Sequence, residues 1–181
     1  MRAAVREAEF SEFVVSRRTQ LRRTAYLLCG DAHRAEDLAQ TVLMKLYVAW
    51  PRVRRTDRGV GVNVDAYARR MLVNAHIDET RRPWRREWSD EGPLDVLEAT
   101  EPTPTEDRDL LMSALASLPP RQRAAVVLRH YWGLSVEETA RDLGCSTGTV
   151  KSQASRGLAT LRKRLGPHYG ALTFSAPTEG R

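Results

Sequence analysis

The stretch from Leu134 to Gly157 carries polar side chains whose types and spacing suit the recognition of double-stranded DNA. In its second half, hydroxyl, amide and cationic groups share one side of a predicted helix. These residues are Ser146, Thr149, Lys151, Ser152, Gln153 and Arg156. Cations on such a face hold phosphates, and an amide such as that of Gln153 can pair with adenine in the major groove. The alternative is a helical hairpin whose polar face only meets solvent.

Two short helices joined by a tight turn are needed to position these side chains. Ser135 and Glu138 form an S-x-x-E capping box that predicts a helix ending at Leu143. Gly144 supplies the backbone freedom for the turn, and Ser146 caps the second helix. The predicted buried stripe of that second helix is Val150, Ala154, Leu158, Leu161 and Leu165. Together these features predict a helix-turn-helix.

The charge of the chain is unevenly distributed. The formal net charge is +6, which suits a polyanionic partner and equally a plain basic surface. The segment from Glu87 to Asp107 has eight acidic residues and no basic ones, so the rest of the chain carries +14. The same segment contains Gly92, Pro93 and two further prolines. It is therefore predicted to be an extended, mobile linker between two basic domains.

The apolar pattern predicts an all-α fold of two small helical domains. Helical spacing runs through the first domain, where Pro51 is expected to end one helix and Pro83 to limit the next. In the second domain, Pro120 suits the first residue of a helix. The predicted division is 1–86 and 109–165 for the domains, 87–108 for the linker and 166–181 for the tail.

Enzymatic, metal-binding and membrane functions have little support in the sequence. His76 and Asp78 stand two apart, so on one helix they face different directions and do not share a ligand. Cys29 and Cys145 are far apart and are expected to be buried thiols in a reducing cytosol. No apolar run approaches the length of a membrane span. We expect a cytoplasmic protein that is not an enzyme and needs no cofactor or metal.

The first domain contains two segments that resemble a known family. "GDAHRAEDLAQTVLMKLYVAW" and "YARRMLVNAHIDETRRPWRRE" are similar to region 2 of bacterial sigma factors of the extracytoplasmic-function (ECF) group. "LASLPPRQRAAVVLRHYWGLSVEETARDLGCSTGTVKSQASRGLATLRKRL" resembles region 4 of the same group. Both basic domains are covered in the right order, and the likeness is to the actinobacterial SigE-like subfamily.

The resemblance implies a transcription initiation factor that binds core RNA polymerase and directs it to promoters. Region 2.2 of the family docks on the clamp helices of the β′ subunit, and region 4 contacts the β flap. The positions matching the docking surface are Glu36, Asp37, Gln40 and Lys45. Charge pattern alone would favour a solvated helix face at these positions. An anti-sigma protein is a possible further partner.

The resemblance also assigns the −10 promoter element to the helix that begins near residue 64 and the residues after it. The matching candidates are Tyr67, Arg70, Asn74, Asp78, Arg81, Arg82, Trp84 and Arg85, with Arg69 and Arg86 beside them. Aromatic rings can stack on unpaired bases and cations can neutralise phosphates, which suits strand opening. Trp84 suits either stacking or packing on the domain, and Tyr67 suits a core position as well as stacking. The −35 element falls to the helix-turn-helix.

Two alternatives remain at this point. A stand-alone LuxR-like regulator would explain the helix-turn-helix equally well, but it leaves the first domain unexplained. The acidic linker suits either a mimic of RNA in the polymerase channel or an inert spacer. Gln153 stands where many ECF sigma factors have arginine, so the resemblance implies no particular −35 sequence.

Overall fold

The computed structural model describes residues 2–57, 63–80 and 106–166 of the chain. These residues form helices joined by short turns, and the described ranges contain no strand, which confirms the all-α prediction. The helices are α1 (Arg2–Cys29), α2 (Ala32–Asp57), α3 (Val64–Thr80), α4 (Glu106–Ala116), α5 (Pro120–Val126), a π-helical turn (Val127–Tyr131), α6 (Val136–Leu143) and α7 (Thr147–Leu165). None of these helices is long and apolar enough to cross a membrane.

Helices α1, α2 and α3 form a first bundle around one apolar core. Its buried residues include Leu21, Ala25, Leu38, Val42, Leu46, Trp50, Val53, Ala68 and Leu72. The Trp50 ring meets the edge of Phe10, with centroids 5.1 Å apart. The prediction that Pro51 ends its helix is wrong, because α2 continues to Asp57 with Pro51 inside it. Burial of Trp50 and Val53 on either side keeps the chain in helical register, which offsets the hydrogen bond that proline cannot donate.

Helices α4 to α7 form a second bundle. Pro120 is the first residue of α5, as predicted, and Pro119 precedes it as the N-cap residue. Helix α4 begins at Glu106, so the last three residues of the predicted linker are helical, and acidic side chains in its first turn favour a helix N-terminus. Residues 81–105, which comprise the end of the predicted first domain and most of the predicted linker, lie outside the described residues, as does the tail after Gly166.

Helix α7 packs closely on α5 at a glycine that the apolar pattern did not single out. A Cβ atom at Gly157 would lie 2.7 Å from Val126 Cγ2, so the absence of a side chain allows the two helices to approach. Val150, Ala154, Leu161 and Leu165 are buried as predicted. Leu158 is only half-buried, since Gly157 takes the position facing α5.

The two bundles pack against each other, which the sequence does not predict. Their shared apolar cluster joins Leu28, Val73 and Ile77 of the first bundle to residues of the second. The second bundle contributes Ala124, Val127, Leu128 and Leu134. Helix α3 lies against α5 and α6, and α1 lies against α4 and α5. The helix-turn-helix is therefore held beside the helix assigned to the −10 element.

Candidate nucleic-acid interface

The helix-turn-helix forms as predicted because both of its helices have side-chain caps. Ser135 Oγ accepts a hydrogen bond from the Glu138 backbone N–H at 3.0 Å, and a Glu138 carboxylate oxygen accepts one from the Ser135 N–H at 2.8 Å. The second of these bonds lowers the pKa of the Glu138 carboxyl. Gly144 ends α6 in the left-handed conformation, with φ 60° and ψ 43°. The capping box and the turn thus fix where α7 begins.

The hydroxyl groups at the start of α7 are bonded to their own helix. Ser146 Oγ accepts from the Thr149 backbone N–H at 3.1 Å and lies 2.9 Å from the Thr149 hydroxyl. Ser152 Oγ donates to the Thr149 carbonyl at 3.0 Å. These side chains therefore stabilise the N-terminal turns of α7, and they have less hydrogen-bonding capacity left for a ligand.

The longer side chains of α7 are the ones that extend from its outer face. Lys151 and Arg156 are exposed, and Gln153 between them is half-buried. Exposed cations also fill the last turn, at Arg162, Lys163 and Arg164. At about 100° per residue, Arg156 lies within about 60° of Gln153 around the helix, whereas Lys151 lies about 160° away. A cation beside an amide is the arrangement expected of a helix that holds a phosphate and contacts one base edge.

Helix α3 presents a second row of polar side chains. Arg70, Asn74 and Asp78 are exposed at four-residue spacing, which places them along one face. Asn63 caps the helix, since its Oδ1 accepts from the Asp65 N–H at 2.8 Å. This cap was not predicted, although asparagine ahead of an apolar-periodic segment is its usual signal. Tyr67 is half-buried against the first core, as the core alternative expects.

Some residues of the predicted −10 site are outside the described ranges, and one residue beside it is buried. Arg81, Arg82, Trp84 and Arg85 fall outside the described residues. Arg69 is buried rather than presented, because its guanidinium pairs with Asp142 of α6. The same carboxylate lies 3.6 Å from Arg70 Nε.

The predicted polymerase-docking residues lie on α2. Asp37, Gln40 and Lys45 are exposed. Glu36 is half-buried, because its Oε1 accepts from Gln40 Nε2 at 3.0 Å and pairs with Arg18 Nη2 at 2.8 Å. The hydrogen bond from Gln40 and, next, the one from Arg18 lower the pKa of the Glu36 carboxyl. Glu36 therefore orients Gln40 at the edge of this face.

Two apolar residues on the same face were missed. Met44 and Val48 are 70% and 81% exposed. At about 100° per residue they lie within about 20° of Asp37 around the helix. The charge pattern of this face is that of a solvated surface. Large exposed apolar side chains on such a face indicate an interaction surface. We name the set Asp37, Gln40, Met44, Lys45 and Val48 the α2 face.

The neutral forms of the buried His76 and the half-buried Cys29 are favoured by their surroundings in the first bundle. Cys29 Sγ lies 3.7 Å from His76 Nδ1. Burial raises the pKa of the Cys29 thiol to about 11 and lowers the pKa of His76 to about 4. A neutral thiol beside an imidazole of low basicity suits packing rather than nucleophilic attack. Both cysteines are free and half-buried, not fully buried as predicted, and no group of metal-ligating residues occurs among the described residues.

Comparisons with known proteins place both bundles in one family. Residues 13–86 match the family model of sigma-70 region 2, and residues 108–161 match that of sigma-70 region 4. The RNA polymerase sigma-E factor of Streptomyces coelicolor is 42% identical over 161 residues, which is 87% of this chain and 86% of that protein. The ECF RNA polymerase sigma factor SigE of Mycolicibacterium smegmatis is 34% identical over 174 residues, which is 92% of this chain and 65% of that protein.

Solved structures agree with these matches. The sigma factor RpoE from Bartonella quintana, in complex with the anti-sigma factor NepR, superimposes with a TM-score of 0.69 at 26% identity, over 88% of this chain and 98% of that one. CnrH in complex with the cytosolic domain of CnrY has the same fold, with a TM-score of 0.59 at 21% identity over 88% of each chain. Since both sigma-70 regions are present in order and relatives match along most of its length, this chain belongs to the ECF family of sigma factors and is a transcription initiation factor.

Proposed function

We propose that this sigma factor docks on core RNA polymerase through the α2 face, using the β′ clamp helices as its main partner. The exposed apolar pair Met44 and Val48 supports a protein partner, because apolar side chains at the centre of a contact supply most of its affinity. Asp37, Gln40 and Lys45 around them supply the polar rim. The second bundle would contact the β flap.

Promoter DNA is proposed to bind at two places. Helix α7 enters the major groove of the −35 element, with Lys151 and Arg156 on phosphates and Gln153 at a base edge. The observation that carries this assignment is the geometry of α7, whose apolar side is buried while its cations and amide extend from a capped start. The hydroxyl residues at the start of α7 stabilise its cap and first turns and so position the longer side chains. They are Ser146, Thr149 and Ser152.

The −10 element is proposed to bind along α3 and the residues after it. Arg70, Asn74 and Asp78 give the exposed row, and Tyr67 stands at its base. Arg81, Arg82, Trp84 and Arg85 would continue it with cations and one aromatic ring, which suits a displaced single strand. The acidic linker is proposed to follow the polymerase channel as a mimic of RNA, with an inert spacer as the alternative.

The protein is proposed to act without catalysis of its own, in the cytoplasm where the polymerase works. Control by an anti-sigma protein is also proposed, because the related sigma factor RpoE was solved with one. The LuxR-like alternative is not favoured, since the match to sigma-70 region 2 covers residues that such a regulator would not need.

Run-off transcription with purified core polymerase on a pool of promoter fragments tests this function. We expect protein-dependent transcripts that share an upstream −35 and −10 pair. Tight binding to duplex DNA without core association or transcripts would instead support a stand-alone regulator.

Charge reversal on the α2 face tests the docking surface. Asp37→Arg with Gln40→Ala should abolish core binding in a pull-down, because a reversed rim charge and a lost amide fall within the proposed contact. Helical content and duplex binding by α7 should stay at the parental level. Glu7→Arg, an equal reversal at an exposed position on α1, is the matched control. Core binding by the double variant equal to that of the parent would exclude the α2 face as the docking surface.

A further inference from the structure

The side chain of Gln40 on the α2 face is held by hydrogen bonds that begin on α1. Arg18 Nη2 donates to Glu36 Oε1 at 2.8 Å, and Gln40 Nε2 donates to the same oxygen at 3.0 Å. Glu36 is half-buried, whereas Gln40 is exposed. One carboxylate oxygen therefore joins α1 to the edge of the α2 face.

The carboxylate of Glu36 decides which end of the Gln40 amide is available to a partner. An ionised carboxylate only accepts hydrogen bonds, so the amide turns its Nε2 toward Glu36 and its Oε1 away from it. The bonds from Gln40 and Arg18 lower the pKa of the Glu36 carboxyl, so it is ionised near neutral pH. Gln40 therefore presents a hydrogen-bond acceptor at the edge of the α2 face.

A second acceptor on the same helix results from the proline inside α2. Pro51 has no N–H, so it cannot donate to the carbonyl of Tyr47, four residues before it. Both residues are exposed. The Tyr47 ring is turned toward α1, where it packs against the Phe10 ring with centroids 5.0 Å apart. The Tyr47 carbonyl therefore keeps accepting capacity that the helix does not use, and water or a partner can use it.

These two acceptors lie on one side of α2. At about 100° per residue, positions 40, 47 and 51 fall within about 40° of one another around the helix. At about 1.5 Å per residue, positions 40 and 47 are about 10 Å apart along its axis. Met44, which is 70% exposed, lies between them. We call Gln40 Oε1 and the Tyr47 carbonyl oxygen the acceptor edge.

We infer that the α2 face docks through this acceptor edge, and that Arg18, Glu36 and Pro51 are positioning residues that act through it. The inference rests on the proposed use of the α2 face for docking on the polymerase. Two acceptors with an apolar side chain between them fit a surface that offers N–H donors on either side of an apolar patch. A surface of carboxylates would leave these acceptors unpaired, which lowers affinity.

Positioning by Glu36 increases affinity because the Gln40 side chain is already ordered in the free protein. Ordering a free glutamine side chain on binding lowers affinity by about 3- to 10-fold. In this chain the bond from Gln40 to Glu36 fixes the amide, and the bond from Arg18 to the same oxygen fixes Glu36. Removal of either anchor should therefore weaken docking without removing any group that contacts the polymerase.

A double-mutant cycle tests the positioning role in the full-length protein. Fluorescence titration with purified core RNA polymerase measures the dissociation constants of the parent, Glu36→Ala, Gln40→Ala and the double variant. Glu36→Ala should weaken core binding by about 3- to 10-fold, because the amide loses its anchor. In the Gln40→Ala background the same substitution should have almost no further effect, because no amide remains for Glu36 to orient.

Conservative and matched variants separate positioning from a general effect on the fold. Both bonds end on one oxygen of Glu36, so Glu36→Gln can still accept them and should bind core within about threefold of the parent. Arg18→Met should weaken core binding about twofold, and that effect should vanish in the Gln40→Ala background. Arg17→Met removes the neighbouring arginine, which pairs with Asp65 at 2.8 Å, and should bind core like the parent.

The substitution Pro51→Ala tests the second acceptor, because it should change stability and affinity in opposite directions. Alanine supplies an N–H that donates to the Tyr47 carbonyl and has a higher helix propensity, so the thermal unfolding midpoint should rise. The new bond uses part of the accepting capacity of that carbonyl, so core binding should weaken about two- to threefold. A proline with only a structural role would not separate these two measurements.

Three results would overturn the inference. Additive losses for Glu36→Ala and Gln40→Ala would show that Glu36 contacts the polymerase itself or supports the fold. Core binding by Glu36→Ala as tight as that of the parent would remove its positioning role. Core binding by Pro51→Ala as tight as that of the parent would remove the Tyr47 carbonyl from the contact.

Failure of the docking proposal itself gives a different result. If the α2 face does not dock, Asp37→Arg with Gln40→Ala binds core like the parent, and every variant of the cycle does the same. If the face docks but is not positioned as inferred, Gln40→Ala weakens core binding while the loss in Glu36→Ala is absent or additive. Should Glu36→Ala lose helical content, the cycle of Arg18→Met with Gln40→Ala gives the same distinction.

Discussion

Helices α3 and α7 are both proposed to bind promoter DNA, yet their surroundings in the structure differ. Helix α7 is held from behind by α5 and α6, and its polar face is directed outward. Helix α3 is covered on one side by the first core and on another by the helix-turn-helix, so only a narrow row of polar residues remains exposed.

The difference is that one proposed DNA-binding helix has its polar face exposed, while the other is partly covered by the second bundle of the same chain. The features of α7 are local, since its cap, turn and apolar stripe lie within about twenty residues. The state of α3 depends on Asp142, which lies 73 residues from Arg69 along the chain. If this comparison is right, perturbing the inner side of α3 should affect the whole molecule, while changes on the outer face of α7 should affect DNA binding alone.

The largest expected effect comes from His76 on the inner side of α3. Burial, then the charges of Arg123 and Arg34, lower its pKa from 6.5 to about 4. The unfolded chain therefore binds more protons between these pH values, and folding stability falls as pH falls through this window. At about 1.4 kcal/mol per pKa unit, the loss reaches about 3 kcal/mol near pH 4. Urea unfolding at pH 7.0, 5.5 and 4.5 measures it.

A histidine substitution sharpens this test. His76→Gln should remove most of the pH dependence between 6.5 and 4.5, and His130, whose pKa burial also lowers, should account for a remainder of the same sign. His33→Gln, at an exposed position on α2, is the matched control and should keep the parental slope. An unchanged slope in His76→Gln would mean that the inner side of α3 is open to water in solution.

The sequence predicts what depends on neighbouring residues and fails where distant ones meet. The capping box of Ser135 and Glu138 and the turn at Gly144 follow from local rules and are confirmed. The prediction that Pro51 ends a helix follows from a local rule and is wrong. Helix α2 continues past Pro51 because Trp50 and Val53 are buried in the core, which is a tertiary effect that the local sequence does not show.

The candidate site shows the same division. The shared face of Gln153 and Arg156 on α7 follows from their three-residue spacing alone, whereas the burial of Arg69 under Asp142 does not follow from spacing. A single sequence contains no signal for which of many arginines finds which acid across the fold. Met44 and Val48 do carry a signal in the sequence, because they are apolar residues at the helical spacing of the polar residues Asp37 and Gln40.

The next effect in size concerns the back of α7. Gly157→Ala should lower the free energy of unfolding by about 2 kcal/mol, because its Cβ would lie 2.7 Å from Val126 and 3.4 Å from the Gln122 carbonyl. Gly148→Ala on the same helix is the control. Its nearest neighbour would be 3.8 Å away, so improved helix propensity should stabilise the protein by up to about 1 kcal/mol. Equal changes in both variants, measured by chemical denaturation, would show that α7 is not held against α5 as described.

The smallest effect concerns the front of α7 and is confined to DNA. Gln153→Ala should leave stability within about 0.5 kcal/mol of the parent, because the side chain lies on the outer face. With polymerase holoenzyme on a library of −35 variants, discrimination at one base pair should fall by about 1–2 kcal/mol, since a bidentate amide contact is lost. Arg156→Ala is the comparison, and it should weaken binding to all sequences alike while reducing the salt slope by about one. If Gln153→Ala also weakens all sequences alike, the amide positions the helix without distinguishing bases, and α7 then resembles α3 in relying on its cations.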